Sequence, residues 1–195
     1  MNQIFEIKRK EFEVIEKLGE HSFKVERKGK IYFLKDYSSN LGGFEQYIKA
    51  ETKLRTSGIK IPKLYLYDKN KHIVVMDYIK GRTILDLLME NDLPDICFEE
   101  VFIMNFFMKR NNIALNFDPM NFKVDKGKLY YLSSEYKEYN EKSAFEKNAI
   151  FLWFYSKEFV TYLSKLGLKV DQSRLNKEPG YINKQIALTV VKYYR

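Results

Sequence analysis

Residues 113–135 read Ile113-Ala114-Leu115-Asn116-Phe117-Asp118-Pro119-Met120-Asn121-Phe122-Lys123-Val124-Asp125-Lys126-Gly127-Lys128-Leu129-Tyr130-Tyr131-Leu132-Ser133-Ser134-Glu135. Two partly apolar runs, 121–124 and 129–132, flank Asp125-Lys126-Gly127-Lys128. A glycine in a short polar link between β-favouring residues predicts a hairpin. Ahead of it, Asn116-Phe117-Asp118-Pro119-Met120-Asn121 reads as a loop, with Pro119 as a helix breaker. Asp and Asn side chains converging beside a strand pair are suited to holding a metal–phosphate group, although most such loops are only turns.

Upstream, residues 11–37 alternate in strand fashion. Phe12, Val14 and Ile15 lead through Gly19 to Val25, and the run ending at Lys35 follows the turn at Lys28-Gly29-Lys30. An antiparallel meander of three strands is expected. Residues 44–57 carry Tyr47, Ile48, Glu51 and Leu54 at helical spacing, with Gly58 as the cap beyond the helix and Pro62 as a stop. Glu51 and Arg55 stand four apart and can pair on that helix. Residues 63–67 and 72–77 form a second strand pair, running on into Met76-Asp77-Tyr78-Ile79-Lys80-Gly81.

Thr83 is a good N-cap for a helix over 84–90, with Asp86 in its first turn. Residues 98–110 form an apolar helix feeding the loop at Asn116. Residues 136–143 read as a polar link, 144–166 as one helix closed by Gly167, and 183–194 as an amphipathic helix with Ile186, Val190 and Tyr193 on its face. Trp153 is read as a packing residue.

The chain has 195 residues, 45% of them hydrophobic, enough to bury a core in one domain or two packed lobes. No apolar run approaches the roughly 20 residues that cross a bilayer, and the segment opening Met1-Asn2-Gln3-Ile4 lacks the apolar core of an export signal. Cys97 is the single cysteine, which excludes an internal disulfide and fits a cytoplasmic protein with no membrane association. The formal charge of +8 allows an anionic partner, nucleic acid included, but the lysines are spread as on a solvated surface. His21 and His72 stand in no zinc-ligand spacing.

The stretch at 113–135 resembles the catalytic loop of the protein-kinase superfamily, H-R-D-L-K-P-E-N, followed by a hairpin and D-F-G. Pro119 and Asn121 fall on that motif's Pro and Asn. Asn116 then stands at the catalytic Asp, Ala114 and Leu115 replace His and Arg, and Ser133-Ser134-Glu135 stands at D-F-G. Gly19 opens a segment similar to the glycine-rich loop, whose second and third glycines are here His21 and Lys24. Lys35 resembles the V-A-I-K lysine, and the helix from Glu51 to Pro62 is similar to that of RIO-type kinases, small tRNA-modification-complex kinases and aminoglycoside phosphotransferases.

The resemblance implies an α+β, two-lobed protein-kinase-like fold. An antiparallel-sheet N-lobe with one helix would span residues 1–80, and a minimal, mostly helical C-lobe residues 81–195. It implies that Lys35 pairs with Glu51 against the α and β phosphates of ATP. Gly19, Val25, Met76, Asp77 and Ile79 would border the nucleotide, and Asn121, Ser133 and Glu135 would face magnesium. An amide at 116 neither carries charge nor accepts protons as a carboxylate does, and a hydroxyl at 133 is a weak ligand for a hard cation. The expected function is that of a pseudokinase binding nucleotide weakly and acting through a protein partner. An active phosphotransferase using Asp118 or Glu135, and a basic RNA-associated domain, stay open as alternatives.

Overall fold

Tight turns between alternating runs build the first sheet. Strands β1 (Ile4–Ile7), β2 (Lys10–Gly19), β3 (Ser22–Arg27) and β4 (Lys30–Asp36) follow one another as hairpins. After helix α1 (Leu41–Thr56) come β5 (Leu64–Asp68) and β6 (Ile73–Asp77), giving an antiparallel sheet of order β1-β2-β3-β4-β6-β5. The β3–β4 turn places Lys28 and Gly29 at φ 52° and 73°, the paired positive values that a two-residue hairpin demands. The β1–β2 turn does the same with Lys8 and Arg9, at 49° and 61°. No glycine marks that turn, so β1 went unread in the sequence.

This computed structural model describes residues 3–194. Met1 and Asn2, which open the segment read for an export signal, and Arg195 lie outside the described residues. Two compact units divide the chain: Met1–Thr56 with Ile61–Lys80, and Ser57–Lys60 with Gly81–Arg195.

In the first unit, strand alternation sends side chains to two separate clusters. One face carries Ile7, Phe12, Phe23, Val25, Tyr32, Leu34, Ile73 and Val75 into a single core. The other carries Val74 and Met76, against which α1 lays Phe44 and Tyr47. The buried positions of α1, Phe44, Tyr47, Ala50, Glu51 and Leu54, recur at helical spacing. Asn40 caps this helix by accepting a hydrogen bond from the Gly43 amide at 2.9 Å.

The second unit begins with β7 (Arg82–Thr83) and α2 (Ile84–Met89), which is closed by a reciprocal cap. The Asp86 amide donates to the Thr83 hydroxyl and the Thr83 amide to the Asp86 carboxylate, both at 3.0 Å. Helix α3 (Ile96–Arg110) leads through β8 (Ala114–Leu115) to the hairpin β9 (Phe122–Asp125) and β10 (Lys128–Tyr131). Residues 136–143, read as an irregular link, instead contribute β11 (Tyr136–Lys137), antiparallel to β8. β7 adds to the far edge of β9, giving the order β10-β9-β7. Gly81 is required beside it: a Cβ there would sit 1.6 Å from the Val124 carbonyl oxygen.

The single helix expected over 144–166 is three pieces: α4 (Phe145–Asn148), a 3-10 turn at Ile150–Trp153, and α5 (Lys157–Lys165). The break has a polar and an apolar cause. Ser156 is the N-cap of α5, accepting from the Phe159 amide at 3.0 Å while donating to the Phe151 carbonyl at 2.8 Å. The turn before it buries Trp153 completely, among the rings of Phe98, Phe122 and Phe145. Asn105 of α3, buried, accepts from the Phe145 amide at 3.0 Å and donates to Glu146 at 2.8 Å, fixing where α4 starts. Helix α6 (Tyr181–Tyr193) ends the described chain, burying Ile186. Among the described residues no helix is long and apolar enough to cross a membrane.

Gly81→Ala should be among the most damaging single-atom changes in the second unit, because the added methyl must displace backbone rather than a side chain. A loss of about 3 kcal/mol or more in urea unfolding is expected. A loss under about 1 kcal/mol would mean that β7 does not lie against β9.

Candidate functional site

The residues singled out from sequence fall in two groups, one in each unit. In the second unit the loop at 116–121 is a short 3-10 turn, Pro119–Asn121, held by its own polar groups. The Asn116 amide oxygen accepts from the Asp118 amide at 3.1 Å. One Asp118 carboxylate oxygen accepts from the Met120 amide at 2.9 Å. The Asn121 side chain donates to the Asn116 backbone carbonyl at 3.2 Å, which brings the two positions together.

Below the loop, aromatic side chains hold it in place. The Trp153 indole donates to the Phe117 carbonyl at 3.0 Å, and the Phe117 ring stacks on Phe122 at 5.8 Å, 8° from parallel. Tyr131, fully buried, accepts from the Asn116 amide at 3.3 Å and donates to the Glu135 carbonyl at 2.6 Å. Burial pushes its phenol up to about 12, so it keeps its proton. Tyr131 thereby ties the start of the loop to the segment after the hairpin.

One side chain that the sequence reading missed completes this group. Tyr162 of α5 donates a 2.5 Å hydrogen bond to the same Asp118 oxygen that caps the turn. Its phenol is driven well above the ordinary range, first by burial and then by that carboxylate. Only folding brings position 162 to position 118, and no local pattern marks the pair. Ser133 accepts from the Glu135 amide at 3.1 Å, a serine turn. The Glu135 side chain itself is exposed.

In the first unit, Gly19 pairs directly with Ser22 across Glu20-His21, so the segment resembling a glycine-rich loop is a hairpin closed to its tip. Register places Ser22 opposite Lys35, Lys24 opposite Phe33 and Phe33 opposite Met76, all on the sheet face that α1 covers. Val25 points the other way, fully buried against Phe12 and Leu34. The structure therefore does not bring Val25 to the face carrying Lys35.

Met76 is buried and receives the Tyr47 hydroxyl at 3.7 Å. The Asp77 carboxylate accepts from Lys30 at 2.9 Å, and the Asp77 amide donates to the Lys63 carbonyl at 2.9 Å. Ile79 is half-buried just beyond.

The pairing that the resemblance implied is replaced by the plain helical one. Glu51 accepts from Arg55 at 3.0 Å, and Lys35 donates instead to the Ser22 hydroxyl at 3.0 Å. Among the described residues no ion pair joins Lys35 to Glu51. Local geometry accounts for this, because residues four apart on a helix are neighbours whatever the sheet does. One consequence is unusual: Glu51 is 3% exposed, yet its second oxygen, Oε1, has no hydrogen-bond partner. A buried carboxylate oxygen left bare is costly, and such atoms mark places where a further donor fits.

Among the described residues no group of three or more His, Cys, Asp or Glu side chains is placed to hold a metal ion. The chain matches no protein-family model, and comparison with curated proteins found no match.

If Tyr162 holds the Asp118 carboxylate, Tyr162→Phe should cost about 1.5–3 kcal/mol, the range for a hydrogen bond to a charged acceptor. Asp118→Asn should cost less in the Tyr162→Phe background than in the wild type. Additive costs in a double-mutant cycle would show that the two side chains act independently.

Proposed function

We propose that this chain is a two-lobed, protein-kinase-like domain whose phosphoryl-transfer chemistry is weakened or lost, a pseudokinase that binds nucleotide weakly and acts through a protein partner. The α+β make-up supports the reading: an antiparallel sheet with one helix, then a largely helical second unit entered at Gly81. The observation that carries it is the state of the loop at 116–121. Position 116 offers a neutral amide already engaged by the Asp118 amide, and Asp118 is engaged by Met120 and Tyr162. A general base needs a carboxylate that can turn an oxygen to the substrate hydroxyl, and here Met120 and Tyr162 both hold Oδ1 and fix the group's orientation, leaving only Oδ2 for that role. These contacts weigh against the active alternative through Asp118.

A resident magnesium ion does not fit the donors present. Magnesium takes carboxylates and phosphates in near-ideal octahedral geometry. Here Asn121 supplies an amide, Ser133 a hydroxyl committed to Glu135, and Glu135 a solvated carboxylate on the exposed side of its turn. No step is assigned to the metal.

Nucleotide is a better match. ATP would supply phosphate oxygens to the Lys35 ammonium, which donates to the neutral hydroxyl of Ser22 and lies 5.9 Å from the centre of the Tyr37 ring. Glu51 Oε1, on the helix covering that face, is a buried acceptor without a partner, and a donor brought to it with the ligand would be held there. The closed hairpin at Gly19 gives phosphate no cradle of backbone amides, which argues for weak affinity.

Titration of the full chain with ATP should give one weak site, with the same affinity in magnesium and in EDTA. Lys35→Ala should weaken it about tenfold, the equivalent of about 1.4 kcal/mol. Robust magnesium-dependent transfer of labelled phosphate, abolished by Lys35→Ala, would refute the pseudokinase reading.

A further inference from the structure

Tyr65 stands on β5, an edge strand of the first sheet, in a register shift between Leu64 and Leu66. Such a bulge re-aims a side chain, and here it sends both Tyr65 and Leu66 onto the core cluster of Phe12, Val25 and Tyr32. The Tyr65 ring lies on Tyr32 with centres 4.7 Å apart. Its oxygen receives Lys10 Nζ from β2 and Arg27 Nη1 from β3, each at 3.4 Å.

Two cationic donors from two strands therefore converge on one phenol oxygen. No carboxylate is hydrogen-bonded to it. Glu11, Glu13 and Glu26, neighbours of Lys10 and Arg27 in sequence, point to the opposite face by strand alternation. Asp77 of β6 is paired with Lys30 of β4. Donors without a matching anion favour the deprotonated oxygen, and the phenol is lowered from its usual range, first through the hydrogen bond from Lys10. The same donors fit a phosphate ester: an ammonium and a guanidinium are strong partners for phosphate oxygens.

We propose that Tyr65 is a phosphoryl-acceptor site, with Lys10 and Arg27 forming the seat for the phosphotyrosine. The phenol oxygen attacks the γ-phosphorus of a nucleoside triphosphate, and the bond from that phosphorus to the β–γ bridging oxygen breaks. The nucleoside diphosphate leaves and the phenolic proton passes to solvent. An edge strand suits this role, because its outer backbone groups are open to an enzyme that binds its substrate extended. None of these three residues belongs to the kinase-like site.

The test uses the full chain in two arms, magnesium ATP alone and magnesium ATP with a broad-specificity tyrosine kinase, with phosphopeptides mapped by mass spectrometry. Phosphate on Tyr65 in the first arm makes the chain itself the catalyst, and in the second arm only, a separate enzyme. Either result supports the site. In parallel, the native chain is labelled with an aryl sulfonyl fluoride across pH 6–10. Tyr65 should react faster than the exposed Tyr194 near neutral pH, because cationic donors on its oxygen favour the phenolate. Lys10→Gln with Arg27→Gln should remove that advantage. Tyr65 unmodified in both arms, or labelled no faster than Tyr194 in the wild-type chain, overturns the proposal.

Discussion

The hydrogen bond from the Trp153 indole to the Phe117 carbonyl is the contact on which the order of the second unit rests. Trp153 has no exposed surface, so its N–H must find an acceptor inside the protein or leave a donor stranded in an apolar core. The acceptor it finds is a backbone carbonyl in the middle of the loop at 116–121. Phe117 and Phe122 flank that bond and stack on each other, while Phe98, Phe122 and Phe145 close around the indole. Above it, the Asn116 side chain accepts from the Asp118 amide, Asp118 accepts from the Met120 amide and the Tyr162 hydroxyl, and the Asn121 side chain donates to the Asn116 carbonyl. The loop is held by aromatic rings on one side and by hydrogen bonds to its own backbone and to Tyr162 on the other.

The first unit shows what happens when the same requirement is left half met. Glu51 is as buried as the core residues around it, and Arg55 reaches only one of its oxygens. Burying a carboxylate with an open acceptor costs stability, and α1 tolerates it among well-packed neighbours such as Phe44, Tyr47 and Leu54. Lys35, on the face that α1 covers, is held by a serine hydroxyl rather than by a charge. A buried acceptor and a weakly held ammonium are the material for a ligand-dependent contact.

Elements whose signals are local were legible in the sequence. The hairpin at 122–131, the strand pair ending at Asp77, the cap at Thr83 and the closing glycines at 58 and 167 each depend on residues within a few positions of one another. Glycine at positive φ and a side chain reaching two or three amides along the chain are short-range physics. The misses have physical causes as well. The turn at Lys8-Arg9 adopts glycine-like angles without glycine. The helical pattern over 144–166 is real in its periodicity, but Ser156 offered a competing cap, and Trp153 gained more by turning into the core than by continuing a helix. The face on which Val25 lies follows from strand register, and a shift of one residue reverses the face.

By itself, the sequence determined that the chain would form an antiparallel sheet with one covering helix ahead of a mostly helical part, and that neutral side chains would occupy positions 116 and 133. Those follow from alternation, spacing and residue identity, all local properties. Only the tertiary structure decided the partners: Tyr162 for Asp118, Arg55 rather than Lys35 for Glu51, Ser22 for Lys35, and Lys10 with Arg27 for Tyr65. A side chain's partner depends on which surfaces burial brings together and on which donors are left over once the core is packed. Distance along the chain carries no information about either.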